Sequence, residues 1–217
     1  AMFTRTATIP KFKKRSSFLK NRPLAIKRLT FVALILLLSG RPLFALPKVA
    51  VVFDDLLRDP KLYETALNIP VSLNFAVIPG FEFSRANAEA VHAQGQEVLI
   101  HFPMQPPKNN LPHYTFKLVD GMDRNEIQYH LNESFRTVPY AVGLNNHMGS
   151  HSSQDAELMA MFMGCYKHII AKSGQPYFFL DSKTIGRSKA GSAAEAAGIK
   201  TFYRDVFLDG FTDDAYL

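Results

Sequence analysis

From residue 48 the chain alternates short β-branched and aromatic runs with stretches whose apolar residues recur every three or four positions. KVAVVF (48–53), VSLNFAVI (71–78), EVLIHF (97–102), AVGLNN (141–146), PYFFLD (176–181) and IKTFYRD (199–205) have the length and composition of buried strands. Helices are expected between them, over 59–67, 84–94, 123–138, from Ser153 or Asp155 to about Lys172, and over about 188–197. Ser84 and Asp123 are the expected caps and Gly95 an expected stop. In the third of these helices Ile127, Leu131 and Phe135 fall on one face. Strands alternating with helices in this way predict an α/β fold with a largely parallel sheet. No internal repeat of solenoid length is visible. The choice left is between a doubly wound sheet and a (β/α) barrel, and in both the reactive side chains collect where strands end.

The first 46 residues follow a different pattern. Ten Lys/Arg and no Asp/Glu precede or flank an apolar run from Leu29 to Leu38, followed by Ser39-Gly40 and Leu43-Phe44-Ala45. That order of basic, apolar and small-residue regions is the layout of a secretory signal, with cleavage expected after Ala45. The apolar run of about ten residues is half the roughly twenty that a spanning helix needs. Residues 1–45 are therefore expected to be a signal peptide or export leader, and 46–217 a single domain exported to the periplasm or cell surface. An uncleaved anchor is the alternative; cleavage leaves no stable membrane span.

This division changes the meaning of the charge. The whole chain carries 25 basic and 19 acidic residues, a net of +6. All the acidic residues and only fifteen of the basic ones belong to the body, whose net charge is −4. A nucleic-acid partner, which a basic body would suggest, has no support there. Cys165 is the single cysteine and lies in the apolar segment MAMFMGCYKHII, so it reads as a core residue with no intramolecular disulfide available.

The expected strand ends carry Asp54-Asp55, His101, Asn145-Asn146-His147, Asp181-Ser182 and Arg204-Asp205. One carboxylate with two imidazoles is the ligand set of a catalytic zinc site that keeps a position open for water. A bound metal brings the pKa of such a water to around 7. Taken singly, Asp54-Asp55 could be a helix cap and His101 a hydrogen-bonded core histidine. Ser150 lacks the glycine spacing of a nucleophile elbow.

Val52-Phe53-Asp54-Asp55, EVLIHFPMQP (97–106), VGLNNHMGS (142–150), FFLDSKT (178–184) and RDVFLD (204–209) come in an order that resembles the NodB-type polysaccharide deacetylases. The closer similarity is to their divergent, YibQ-like branch. The resemblance implies a deformed (β/α) barrel of about six to seven parallel strands. It also implies a divalent metal, with zinc the expected ion, and removal of N-acetyl groups from a cell-wall or extracellular polysaccharide by attack of metal-bound water on the amide carbonyl. Peptidoglycan or another N-acetylated glycan is the implied partner. By position, Asp54 matches the catalytic base, Asp55 the metal carboxylate and His101 the first histidine of the family's H-x-x-x-H motif. Gln105 stands where the second histidine belongs, and His147 is the candidate to replace it. Gln105, Asn146, Asp181, Arg187, Arg204 and Asp205 are candidates for orienting the site or holding substrate. Leu56 replaces the usual glycine after the aspartate pair, and Arg204 and Asp205 stand on the strand that supplies the family's acid histidine. These departures leave a second reading open: a weak or inactive deacetylase-like module that binds glycan or envelope proteins. Phosphoryl transfer lacks both a phosphate-cradling glycine loop and a lysine.

Overall fold

The computed structural model describes residues 48–108, 111 and 113–208, so the expected leader lies outside the described residues. Six strands form one sheet: β1 (Val52–Leu56), β2 (Asn74–Val77), β3 (Glu97–Met104), β4 (Ala141–Met148), β5 (Phe178–Asp181) and β6 (Lys200–Tyr203). Every pair is parallel and the order across the sheet is the order along the chain. A doubly wound sheet reverses its direction of growth at a switch point. This one never reverses, which is the winding of a (β/α) barrel. β1 and β6 do not pair, so the barrel is open.

The connecting helices are α1 (Glu64–Leu67, preceded by a 3-10 turn at Pro60–Tyr63), α2 (Ser84–Ala93), α3 (Arg124–Thr137), α4 (Ala156–Ser173) and α5 (Ala190–Ala196). Local chemistry sets their ends. Asp123 accepts from the backbone of Asn125 and Glu126 while Glu126 accepts from Asp123 N, a complete capping box. Asp155, rather than Ser153, caps α4, and Gly174 ends it with a left-handed φ of 67°. Ser84 is the first residue of α2 and not its cap. Its hydroxyl accepts from Phe81 N at 2.8 Å and donates to Ile78 O at 2.7 Å, closing the turn after β2.

β3 shows how the sheet sorts its side chains. Val98, Ile100, Phe102 and Met104 join the buried cluster containing Ile127, Leu131, Phe162 and Tyr166 of the helices. Leu99 and His101 alternate onto the other face, the inside of the open barrel. The register opposes His101 to Asn145 and Pro103 to His147.

Three strand boundaries differ from the sequence reading in ways that matter. β1 lies later than 48–53, so Asp54 and Asp55 are strand residues and not a cap beyond one. β3 and β4 each run two residues past their expected ends, which carries His147 into β4. Pairing to a neighbour along the full length of both strands extends them where the apolar pattern has already stopped. Among the described residues no helix is long and apolar enough to cross a membrane.

Candidate metal centre

A regular strand points successive side chains to opposite faces. Asp54 and Asp55 escape this rule. The β1–β2 register slips between Phe53 and Leu56, and Asp55 takes a positive φ of 65°. Aspartate is among the residues that tolerate this left-handed conformation. The result is that both carboxylates reach one imidazole: Asp54 Oδ1 lies 3.7 Å from His101 Nδ1 and Asp55 Oδ1 lies 3.2 Å from His101 Nε2. β4 brings His147 to the same place, with Nδ1 2.8 Å from Asp55 Oδ1.

Asp55, His101 and His147 thus offer three ligand atoms within 4.8 Å of one another. Ligands bonded at about 2.0–2.2 Å to one tetrahedral ion stand roughly 3.4 Å apart, and a carboxylate with two imidazoles gathered this closely is a donor set that could take a divalent ion. The site is buried at one end and open at the other. The His101 side chain is 4% exposed and that of Asp55 58%, which opens that end to solvent.

Asn145 organises the buried end. Its Nδ2 donates to Asp54 Oδ1 at 2.9 Å and also approaches Ser182 Oγ at 3.4 Å. A carboxylate can only accept, so the amide oxygen must face the other way, where it accepts from His101 Nδ1 at 2.9 Å. Nδ1 therefore carries the proton and Nε2 is the nitrogen turned to the cluster. A ligand histidine held through its other ring nitrogen is the usual outer-shell arrangement of metal sites.

The charges respond to this packing. Hydrogen bonds from His101 and then His147 hold the Asp55 carboxyl well below the usual carboxylate range, against the opposing effect of burial. For His101, burial is the largest influence and disfavours the imidazolium. The hydrogen bond to Asp55, the charges of Asp54 and Asp55, and Asn145 together outweigh it, and the net shift is upward. Tyr114, whose hydroxyl is 2.9 Å from His147 Nε2, is raised by burial and by the Asp55 charge.

The other sequence candidates are placed away from this cluster. Gln105 braces the loop after β3: its Oε1 accepts from Asp120 N at 2.9 Å, and its carbonyl accepts from His151 N and Ser152 N. Asn146 points to the opposite face from Asn145, accepting from Ser182 N and donating to Met148 O. Both oxygens of Asp181 are taken by Lys183 N, Ser188 Oγ and Gly191 N, which fastens the start of α5. Arg204 donates to the carbonyls of Ser182 and Lys183, both at 2.7 Å, and so clamps the loop after β5. Arg187 and Asp205 are exposed. Two residues close to the cluster, Asn145 and Tyr114, were not among the sequence candidates. Strand alternation could have found the first, since it shares a face with His147; nothing in the sequence marks the second.

The chain is similar to known proteins over most of its described length. Residues 51–217 match the family model described as divergent polysaccharide deacetylase. The chain is 37% identical over 188 residues to the uncharacterized protein YibQ of Escherichia coli K12, covering 86% of this chain and 56% of that protein. It is 35% identical to an uncharacterized Haemophilus influenzae protein, covering 76% and 57% respectively. The chain thus spans little more than half the length of these curated relatives. An uncharacterized protein of Agrobacterium tumefaciens C58, solved by crystallography, superposes with a TM-score of 0.63 at 22% identity over 76% of this chain and 66% of that one, a likeness of fold. On the extent of the family match and the identity to these relatives, the chain belongs to the divergent polysaccharide deacetylases.

Proposed function

We propose that this domain is a metal-dependent hydrolase that removes N-acetyl groups from an envelope polysaccharide such as peptidoglycan. The observation that carries the reading is the division of labour between adjacent carboxylates. Asp55 stands in the three-ligand cluster, while Asp54 is held beside it by Asn145. Asp55, His101 and His147 would hold a divalent ion, with zinc the best match to a carboxylate and two imidazoles. Such an ion supplies Lewis acidity toward the amide carbonyl and eases deprotonation of water.

Asp54 is the proton acceptor in this reading. Its Oδ1 is engaged by Asn145 Nδ2, which orients the carboxylate and leaves Oδ2 to take the proton. The same carboxylate, once protonated, can return that proton to the departing amine. Asn145 and the buried His101 ring keep base and ligand at a fixed separation, so the geometry is set before substrate arrives. The basic, apolar leader supports export to the periplasm or cell surface, where such a glycan is found.

A second reading, a glycan-binding or envelope-protein-binding module with little or no turnover, is favoured by one observation. Arg204, on the segment where the wider family carries its acid histidine, is committed to the carbonyls of Ser182 and Lys183. Metal analysis of the purified protein, followed by acetate release from peptidoglycan and chitin fragments, separates the two. One metal per chain with acetate release that disappears in Asp54→Asn supports the hydrolase. Metal without acetate from any N-acetylated glycan supports the binding module.

A further inference from the structure

His147 meets the cluster through a different ring nitrogen from His101. His101 turns Nε2 inward and is held at Nδ1; His147 turns Nδ1 toward Asp55 and is held at Nε2. A neutral imidazole has one donor and one acceptor nitrogen, and only the acceptor can bind a metal. His147 can therefore serve as a ligand only in the tautomer that carries its proton on Nε2. In solution nothing enforces that choice. Here the partner of Nε2 is the hydroxyl of Tyr114, at 2.9 Å.

Tyr114 comes from the long connection between β3 and α3, not from a strand. Its ring is set against Phe81 edge-on, with centroids 5.8 Å apart at 77°, and lies 5.3 Å from the His147 ring. The neighbouring Thr115 hydroxyl donates to Gly80 O at 3.2 Å. Gly80 leaves room for this approach: a Cβ there would lie 2.8 Å from Phe116 and 2.9 Å from Thr115. The turn after β2 thus docks the connection and aims the Tyr114 hydroxyl.

We propose that Tyr114 is the positioning residue for His147: its hydroxyl can donate or accept, and with Nδ1 turned to a metal the oxygen accepts the Nε2–H and holds the ring orientation that presents Nδ1. This rests on the metal-site reading above. It gives Tyr114, a residue of the β3–α3 connection, a place beside that centre.

The test is calorimetric titration of metal-free protein with Zn²⁺, comparing wild type, Tyr114→Phe and Phe81→Leu. Tyr114→Phe keeps the ring and removes only the hydroxyl, so its Zn²⁺ affinity should fall by about 10–100-fold, the range for loss of an outer-shell partner. Phe81→Leu, which alters the packing but keeps the hydroxyl, should lose much less. In two-bond ¹H–¹⁵N spectra of the Zn²⁺-loaded wild type, His147 should show a slowly exchanging proton on Nε2, and Tyr114→Phe should lose that protection. A merely structural tyrosine would not move this signal. Unchanged affinity and an unchanged Nε2–H in Tyr114→Phe would overturn the proposal and leave the metal site standing. A wild type that takes up no Zn²⁺ would overturn both.

Discussion

Asn145 holds His101 by a hydrogen bond of 2.9 Å from Nδ1, and the direction of that bond is dictated by Asp54 on the other side of the amide. One side chain thereby sets both the proton on His101 Nδ1 and the position of the neighbouring carboxylate. Asn145→Ala should strand the buried Nδ1–H of His101 and free Asp54. The expected loss is about 1–3 kcal/mol of stability from the unpaired group, with a fall in Zn²⁺ affinity of about 10–100-fold. Chemical denaturation and metal titration read the two effects separately.

Adjacent aspartates with different partners should respond differently to the same substitution. Asp55→Asn removes an anionic ligand and should abolish stoichiometric metal. Asp54→Asn should retain the metal and lose acetate release by at least the ~10²-fold typical of a missing general base. Elemental analysis beside an acetate assay distinguishes them; equal metal loss in both variants would contradict the separate roles.

Metal-free protein should become less stable as pH rises. The His101 pKa is raised, chiefly through Asp55 working against burial. The stability it contributes is complete below the unfolded value of about 6.5 and disappears as pH climbs through the higher folded value. The Asp55 contribution has the opposite sense. It is present above the ordinary carboxylate range and disappears only in strong acid, because its folded pKa lies far below that range. Between these limits, thermal melts of metal-free protein should fall from about pH 6.5 upward, while Zn²⁺ affinity rises over the same interval as the proton leaves His101. In Asp55→Asn the downward slope should flatten.

Metal should stabilise the fold by mass action. At free Zn²⁺ about 100-fold above its Kd, linkage adds about 2.7 kcal/mol, and a chelator should reverse it. Differential scanning calorimetry with and without chelator measures the shift, and His147→Ala should show almost none.

Gly149 gives a prediction outside the ligand set. It follows His147 and Met148 with φ +88°, and a Cβ there would stand 2.7 Å from Met104 Cβ. Gly149→Ala combines a left-handed alanine, costing about 1–2 kcal/mol, with overpacking of about 1–3 kcal/mol. Denaturant midpoints should move accordingly.

The fold class was readable because the six apolar runs are short and alternate with amphipathic segments, and sequential parallel pairing then decided for the barrel. That Asp55, His101 and His147 come together was readable because their types and order are distinctive. The orienting residues were less so. Asn146 stood beside His147 in the sequence, yet the two-residue repeat of a strand puts Asn145 on the His147 face and sends Asn146 to Ser182. Gln105 matched a ligand position by spacing, but β3 ends at Met104 and the side chain turns to Asp120. Tyr114 depends on how a loop docks on Gly80, a long-range contact that no local pattern encodes.

The left-handed backbone at Asp55 has a consequence for how this domain can be improved. Glycine would occupy that conformation without strain, and it would remove the carboxylate as it did so. The relief, about 1–2 kcal/mol, is set against the loss of both imidazole contacts of the carboxylate, so the strained aspartate is held in place by the two side chains it draws together.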